Sequence, residues 1–222
     1  MVTALFAAHA AVAQTGKLPV LTEARQVREL APDQAELSYP VHLQAVVTYH
    51  DPKRNKLYVQ DATVGIFVQY LGDRPGLEPG QRVDLDGISG SGAFAPVVRQ
   101  ARWKVVGRGP LPVARKASFG LLSTGRLVSQ WVEVSGVVRS AALEEGLGVI
   151  EIAMAEGRLK VEFPAATLAS LEPLVDAAVR IRGACTGIFM TRGSFSNPAC
   201  ALPIWGRCTS LRRRPAILSK DP

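Results

Sequence analysis

Tyr39-Pro-Val-His-Leu-Gln-Ala-Val-Val47 and Trp131-Val-Glu-Val-Ser-Gly-Val-Val138 carry one order of features: an aromatic residue, apolar residues in alternation, and a closing Val pair. The likeness continues on both sides. Upstream, Thr22 to Leu30 and Ser118 to Leu122 each read as a short helix followed by a polar linker. Downstream, Gln81-Arg-Val-Asp-Leu-Asp-Gly87 matches Ala177-Ala-Val-Arg-Ile-Arg-Gly183, and Leu77-Glu-Pro79 matches Leu171-Glu-Pro173. The separations, 92 from Tyr39 to Trp131 and 96 from Gly87 to Gly183, agree closely enough to predict a tandem duplication.

Each copy reads as five strands. In the first, Val41 to Tyr49, Lys56 to Gln60 and Gly65 to Tyr70 alternate between apolar and polar residues and are bounded by Asp, Pro, Asn or Gly, as half-buried strands are. Asp61-Ala-Thr-Val-Gly65 reads as a tight hairpin connection with Gly65 at a positive φ. Arg82 to Ile88 and Ala95 to Val106 complete the set around a Ser89-Gly-Ser-Gly92 turn. The second copy repeats this as Gln130–Ser140, Leu147–Ala153, Leu159–Phe163, Val179–Phe189 and Ala199–Leu211, with a helix at Thr167 to Leu171. Five strands with a helix or loop after the third predict an all-β protein of two tandem five-stranded OB-like barrels, each preceded by a short helix. An Ig-like sandwich, with about seven strands per unit, is the competing architecture. The predicted boundaries are a leader over 1–13, a first domain over 14–109, a second over 110–211 and a basic tail over 212–222, with Gly107 to Pro112 as a proline-stiffened connector.

Composition supports this. The 222 residues are 47% hydrophobic, enough for one or two cores, and 20 Gly with 15 Pro spread along the chain suit many turns, which excludes a helical bundle or coiled coil. Of the +7 net charge, Arg212 to Pro222 carry +3, so the body is only mildly basic. Met1 to Ala13 are uncharged and end in the small-x-small pattern Ala11-Val12-Ala13, which predicts a cleavable leader and a periplasmic or otherwise exported product; a buried helix is the other reading.

The runs Leu21 to Leu30, Tyr39 to Tyr49, Leu57 to Val68 and Leu77-Glu-Pro-Gly-Gln-Arg-Val83 resemble the tandem OB-like extracytoplasmic regions of bacterial membrane-bound sensor histidine kinases and related signalling proteins. The resemblance implies a non-catalytic sensory or interaction module that binds a small ligand or protein segment, with a membrane-bound kinase as a partner. It names no ligand, cofactor or catalytic residue.

A search for chemistry returns little. His9, His42 and His50 are the only histidines; no Gly-x-Ser-x-Gly elbow accompanies them, and no close pair of His or Cys spaces two metal ligands. His42 reads as outward-facing and His50 as a turn residue, and Asp84 with Asp86 as a solvated strand face. Gly87-Ile-Ser-Gly-Ser-Gly92 lacks the Lys-Ser or Lys-Thr of a phosphate loop. Of Cys185, Cys200 and Cys208, a turn at Arg192-Gly193 would set Cys185 opposite Cys200 for a disulfide; three buried thiols is the equal alternative. The expectation is therefore a binding protein, with no catalytic centre, metal or cofactor.

The candidate binding face lies on the second and third strands. If Leu57, Val59, Ile66 and Val68 fill the barrel, then Tyr58 and Phe67 point out as ring platforms, flanked by Gln60 and Gln69 and rimmed by Lys53, Arg54 and Lys56. The plainer reading is that the two rings pack against the neighbouring domain or the N-terminal helix. With a sequence pI near 9.7, the same face supports the alternative function, single-stranded nucleic-acid binding, which ranks behind the sensory reading.

Overall fold

The computed structural model describes residues 17–72, 76–164, 168–186, 202–203 and 209–212. The leader, the tail beyond Arg212, Cys200 and Cys208 lie outside the described residues, and with them the Cys185–Cys200 pairing; Cys185 itself is buried.

In the first unit two short helices, α1 (Ala24–Arg28) and α2 (Pro32–Ala35), precede β1 (Pro40–Asp51), β2 (Lys56–Gln60), β3 (Gly65–Val68), β4 (Gln81–Gly90) and β5 (Val97–Arg108). These five strands close a barrel in the order β1-β2-β3-β5-β4. Every pairing is antiparallel except β3 with β5, where Val68 meets Val98 in parallel. That order, with its single parallel closure, is an OB barrel.

The second unit runs β6 (Arg115–Lys116), α3 (Phe119–Ser123), β7 (Trp131–Glu144), β8 (Leu147–Met154), β9 (Gly157–Pro164), α4 (Leu168–Leu171), β10 (Ala178–Ala184), β11 (Leu202–Pro203) and β12 (Thr209–Arg212). Its sheet order is β11-β9-β8-β7-β10-β12. β11 lies parallel to β9 and β12 antiparallel to β10, the two places that β5 takes against β3 and β4. The fifth strand is thus seen as two pieces, one on each edge of the same fold.

Alternation drives both cores. Leu43, Leu57, Val59, Ile66, Val68 and Leu85 are buried in the first barrel, and Val134, Ile150, Ile152, Leu159, Val161 and Ile181 in the second, each cluster separate from the other. Every second strand residue therefore faces its own barrel. Ser118 Oγ accepts from the Leu121 N–H to start α3, which buries Phe119 and Leu122.

The duplication holds with one correction to its register. Val41 pairs with Gly87 and Val132 with Gly183, so the first strands correspond at a separation of 91 residues, and Trp131 is the counterpart of Pro40 rather than of Tyr39. Both first strands also shift register at matched places, between Val47 and Tyr49 and between Val138 and Ser140. Such bulges bend a strand around a small barrel.

Two local expectations fail for physical reasons. Gly65 is not among the positive-φ residues. The Asp61 side chain organises that turn instead, accepting from the N–H groups of Thr63 (2.7 Å) and Val64 (3.0 Å), while its other oxygen accepts from Ala24 N–H (2.7 Å) and ties down α1. His50 is a buried strand residue, not a turn residue, because β1 runs on to Asp51. Among the described residues no helix is long and apolar enough to cross a membrane.

Candidate nucleic-acid interface

The outer face of β2 and β3 meets the second unit. Tyr58, Tyr49, Trp131 and Ala184 form a third buried cluster, with Phe67 and Ala114 at its edge. The Tyr58 and Phe67 ring centroids are 5.1 Å apart and those of Tyr58 and Tyr49 6.0 Å. Tyr58 is only 5% exposed, and burial pushes its hydroxyl well above the ordinary tyrosine range. It is a joint between the units, so its role as an open platform is corrected.

Polar contacts fix the joint. The Gln130 amide spans the edge of β3, accepting from Gly65 N–H and donating to Gly65 C=O at 3.2 Å each. Gln60 Oε1 accepts from Trp131 N–H at 3.0 Å. Arg54 reaches across to Glu145 (2.8 Å) and Glu162 (3.4 Å). Gln60 and Arg54 are therefore committed to the second unit, and Lys53 stands exposed in the turn Pro52–Arg54.

Beside the joint a groove of about 310 Å³ remains. Its walls are the β2–β3 face, the turn after β1, the loop from β4 to β5, and Val128, Ser129 and Thr186 of the second unit. That volume sits at the small end of ligand sites, roughly 300–1,000 Å³. Lys56, Phe67 and Gln69 of the expected face line it, and Tyr58 contributes an edge. Arg28, Phe94 and Ser129 also line it and were not singled out by sequence.

Local structure explains the newcomers. Ala24 and Val27 bury one face of α1, and Arg28, four residues after Ala24, falls beside that face and is drawn halfway in. Phe94, 50% exposed, rides the β4–β5 loop. Arg99 anchors that loop, donating to Ser91 C=O at 2.6 Å and pairing with Glu36 at 3.2 Å. Among the described lining residues there are three cations, Arg28, Arg54 and Lys56, and no carboxylate. A groove with rings and net positive charge attracts an anionic, flat ligand.

The histidines lie elsewhere and titrate in opposite senses. His50 Nδ1 accepts from Leu77 N–H at 2.7 Å, which leaves Nε2 to donate to Tyr70 Oη at 3.0 Å, and burial holds its pKa below the ordinary value of 6.5. His42 on the outer face has Nδ1 2.8 Å from Asp86; its Nε2 lies 3.3 Å from Asp84 without hydrogen-bond alignment, and the carboxylates hold its pKa above 6.5. A folded state that excludes a proton from His50 loses stability as pH falls below 6.5 toward the lowered folded pKa. The His42 contribution is complete below 6.5 and is lost as pH rises through the raised folded pKa. Urea unfolding from pH 5 to 8 should therefore flatten on the acid side in His50→Gln and on the neutral side in His42→Gln; identical profiles for the two variants would refute the assignment.

No known family profile matches the sequence, and no curated protein does. Among solved structures, the chain is similar to a murine DNA-binding protein bound to double-stranded DNA, at 11% identity and a TM-score of 0.37 over 76% of this chain and 97% of that one. It is also similar to the p202 HIN1 domain in complex with a 12-mer double-stranded DNA, at 9% identity and 0.38 over 78% and 92%. Fission yeast Pot1 with single-stranded DNA gives 11% and 0.34 over 82% and 83%. At these scores the fold assignment rests on strand order and barrel closure, not on the likeness.

Proposed function

We propose that this chain is a non-catalytic binding module for single-stranded nucleic acid, taken in the groove between the β2–β3 face, the β4–β5 loop and the second unit. The observation that carries the reading is the lining: Phe67 and Phe94 beside Arg28 and Lys56, with no carboxylate among the described lining residues. OB barrels bind oligonucleotides on this face with the adjoining loops. A ring takes a base of any identity, and the cations take the backbone.

Fluorescence anisotropy with a labelled dT12 strand tests it. Binding should weaken with salt, and Phe94→Ala should reduce affinity by roughly five- to a hundredfold, since stacking on one ring contributes about 1–3 kcal/mol per base. No binding at 50 mM salt, or binding indifferent to Phe94, rejects the reading.

A second reading, an exported sensory module for a small ligand, is favoured by one observation: the groove walls come from both units, so occupancy bears directly on how the units dock. Small-molecule stabilisation without dT12 affinity, together with a mature N-terminus at Gln14 by mass spectrometry, would place this reading first.

A further inference from the structure

Ser129 is 1% exposed, lines the groove, and its Oγ has no hydrogen-bond partner among the described residues. A buried hydroxyl left unpaired costs about 1–3 kcal/mol, so an orphan on a residue that lines a cavity points to a group that, once in the cavity, takes up its hydrogen bond. Arg28 lines the same groove. Half-buried on α1, it makes no ion pair or hydrogen bond among the described residues, and Lys56, which also lines the groove, makes none either. Burial lowers the Arg28 pKa, and the neighbouring Cys185 thiol offsets that only in part, as for a cation that has lost water without a full counter-charge in return.

We infer that Arg28, Lys56 and the Ser129 hydroxyl form a seat for one phosphate group, assembled across the boundary between the two units. Arg28 and Lys56 come from the first unit and Ser129 from the second. The guanidinium supplies paired donors, the ammonium a point charge, and the hydroxyl one further donor that a phosphate oxygen accepts. Phe94 stands on the rim of the same groove, so a phosphate in the seat leaves the attached base within reach of that ring. Because the seat exists only when the units are docked, a seated phosphate also stabilises the docked arrangement.

This deepens the nucleic-acid reading, and the two can fail separately. The experiment compares wild type, Arg28→Gln and Ser129→Ala for dT12 affinity between 50 and 200 mM salt, and for the rise in Tm given by inorganic pyrophosphate. Arg28→Gln should weaken dT12 binding by about tenfold or more and make the slope of log K against log salt shallower by roughly 0.7, the value of one phosphate contact on a single strand. Ser129→Ala should weaken binding with its slope unchanged, while its own Tm stays level or rises because an unpaired buried hydroxyl has gone; a merely structural serine would lower it. Wild type binding dT12 with both variants equal to it overturns the seat and leaves the nucleic-acid reading. A pyrophosphate shift that depends on Arg28, without dT12 binding, overturns the nucleic-acid reading and supports the seat for free phosphates. Neither response overturns both.

Discussion

Tyr58→Ala is expected to destabilise the protein by about 3–5 kcal/mol, the range for truncating a large buried aromatic side chain. The ring is buried at the joint against Trp131 and Ala184, with Phe67 and Tyr49 beside it. Its removal opens a cavity between the two barrels and forfeits two ring pairs, each contributing about 0.5–1.5 kcal/mol beyond area. Tyr58→Phe keeps the ring and loses only the hydroxyl's contact with Thr186 C=O at 3.5 Å, which is at the limit of hydrogen-bond length, so it should stay within about 1 kcal/mol of wild type. Urea unfolding followed by tryptophan fluorescence measures both variants, with Trp131 reporting on the joint itself. A ligand platform would behave the other way round, with stability kept and binding lost. That result would return Tyr58 to the open face the sequence suggested.

The repeat was legible because alternation is set by a physical period of two: that period alone assigns Leu57, Val59, Ile66 and Val68 inward, and all four are buried. The same period placed Tyr58 and Phe67 outward. It could not say what lies outside a barrel, and here the second barrel does, so half of the expected face became a joint. Arg54 shows the same limit, since its partners Glu145 and Glu162 are about a hundred residues away and carry no local mark. Arg28 did carry a local signal, its place four residues after Ala24 on a short helix with a buried face. Ser129 carried none. Its value lies in an unpaired hydroxyl, and that depends on every neighbour it lacks. At Gly65 the turn sequence predicts a backbone freedom that its φ does not use.

What Gly65 does provide is absence of volume, and Gly65→Ala should be strongly damaging for so small a substitution. A Cβ there would lie 1.9 Å from the Ser129 carbonyl oxygen and 2.7 Å from its carbon, distances at which backbone must move. The obstacle is main chain of the second unit, held by the Ser129 N–H bond to Cys185 C=O at 2.6 Å, so no side-chain rotation relieves it. Separating the units breaks both bonds of the Gln130 amide to Gly65. Overpacking of about 1–3 kcal/mol, with two hydrogen bonds of about 0.5–1.5 kcal/mol each, gives an expected loss of about 2–6 kcal/mol. Gly76→Ala is the control, because nothing among the described residues lies near its Cβ, so it should stay within about 0.5 kcal/mol of wild type. The same displacement withdraws Ser129 from the groove, so whatever Gly65→Ala protein remains folded should lose dT12 affinity together with the docking of its units. Limited proteolysis in the connector between β5 and β6 reads that docking: faster cleavage in Gly65→Ala than in Gly76→Ala is expected, and equal cleavage with equal stability would mean that the two barrels are not held in contact at Gly65.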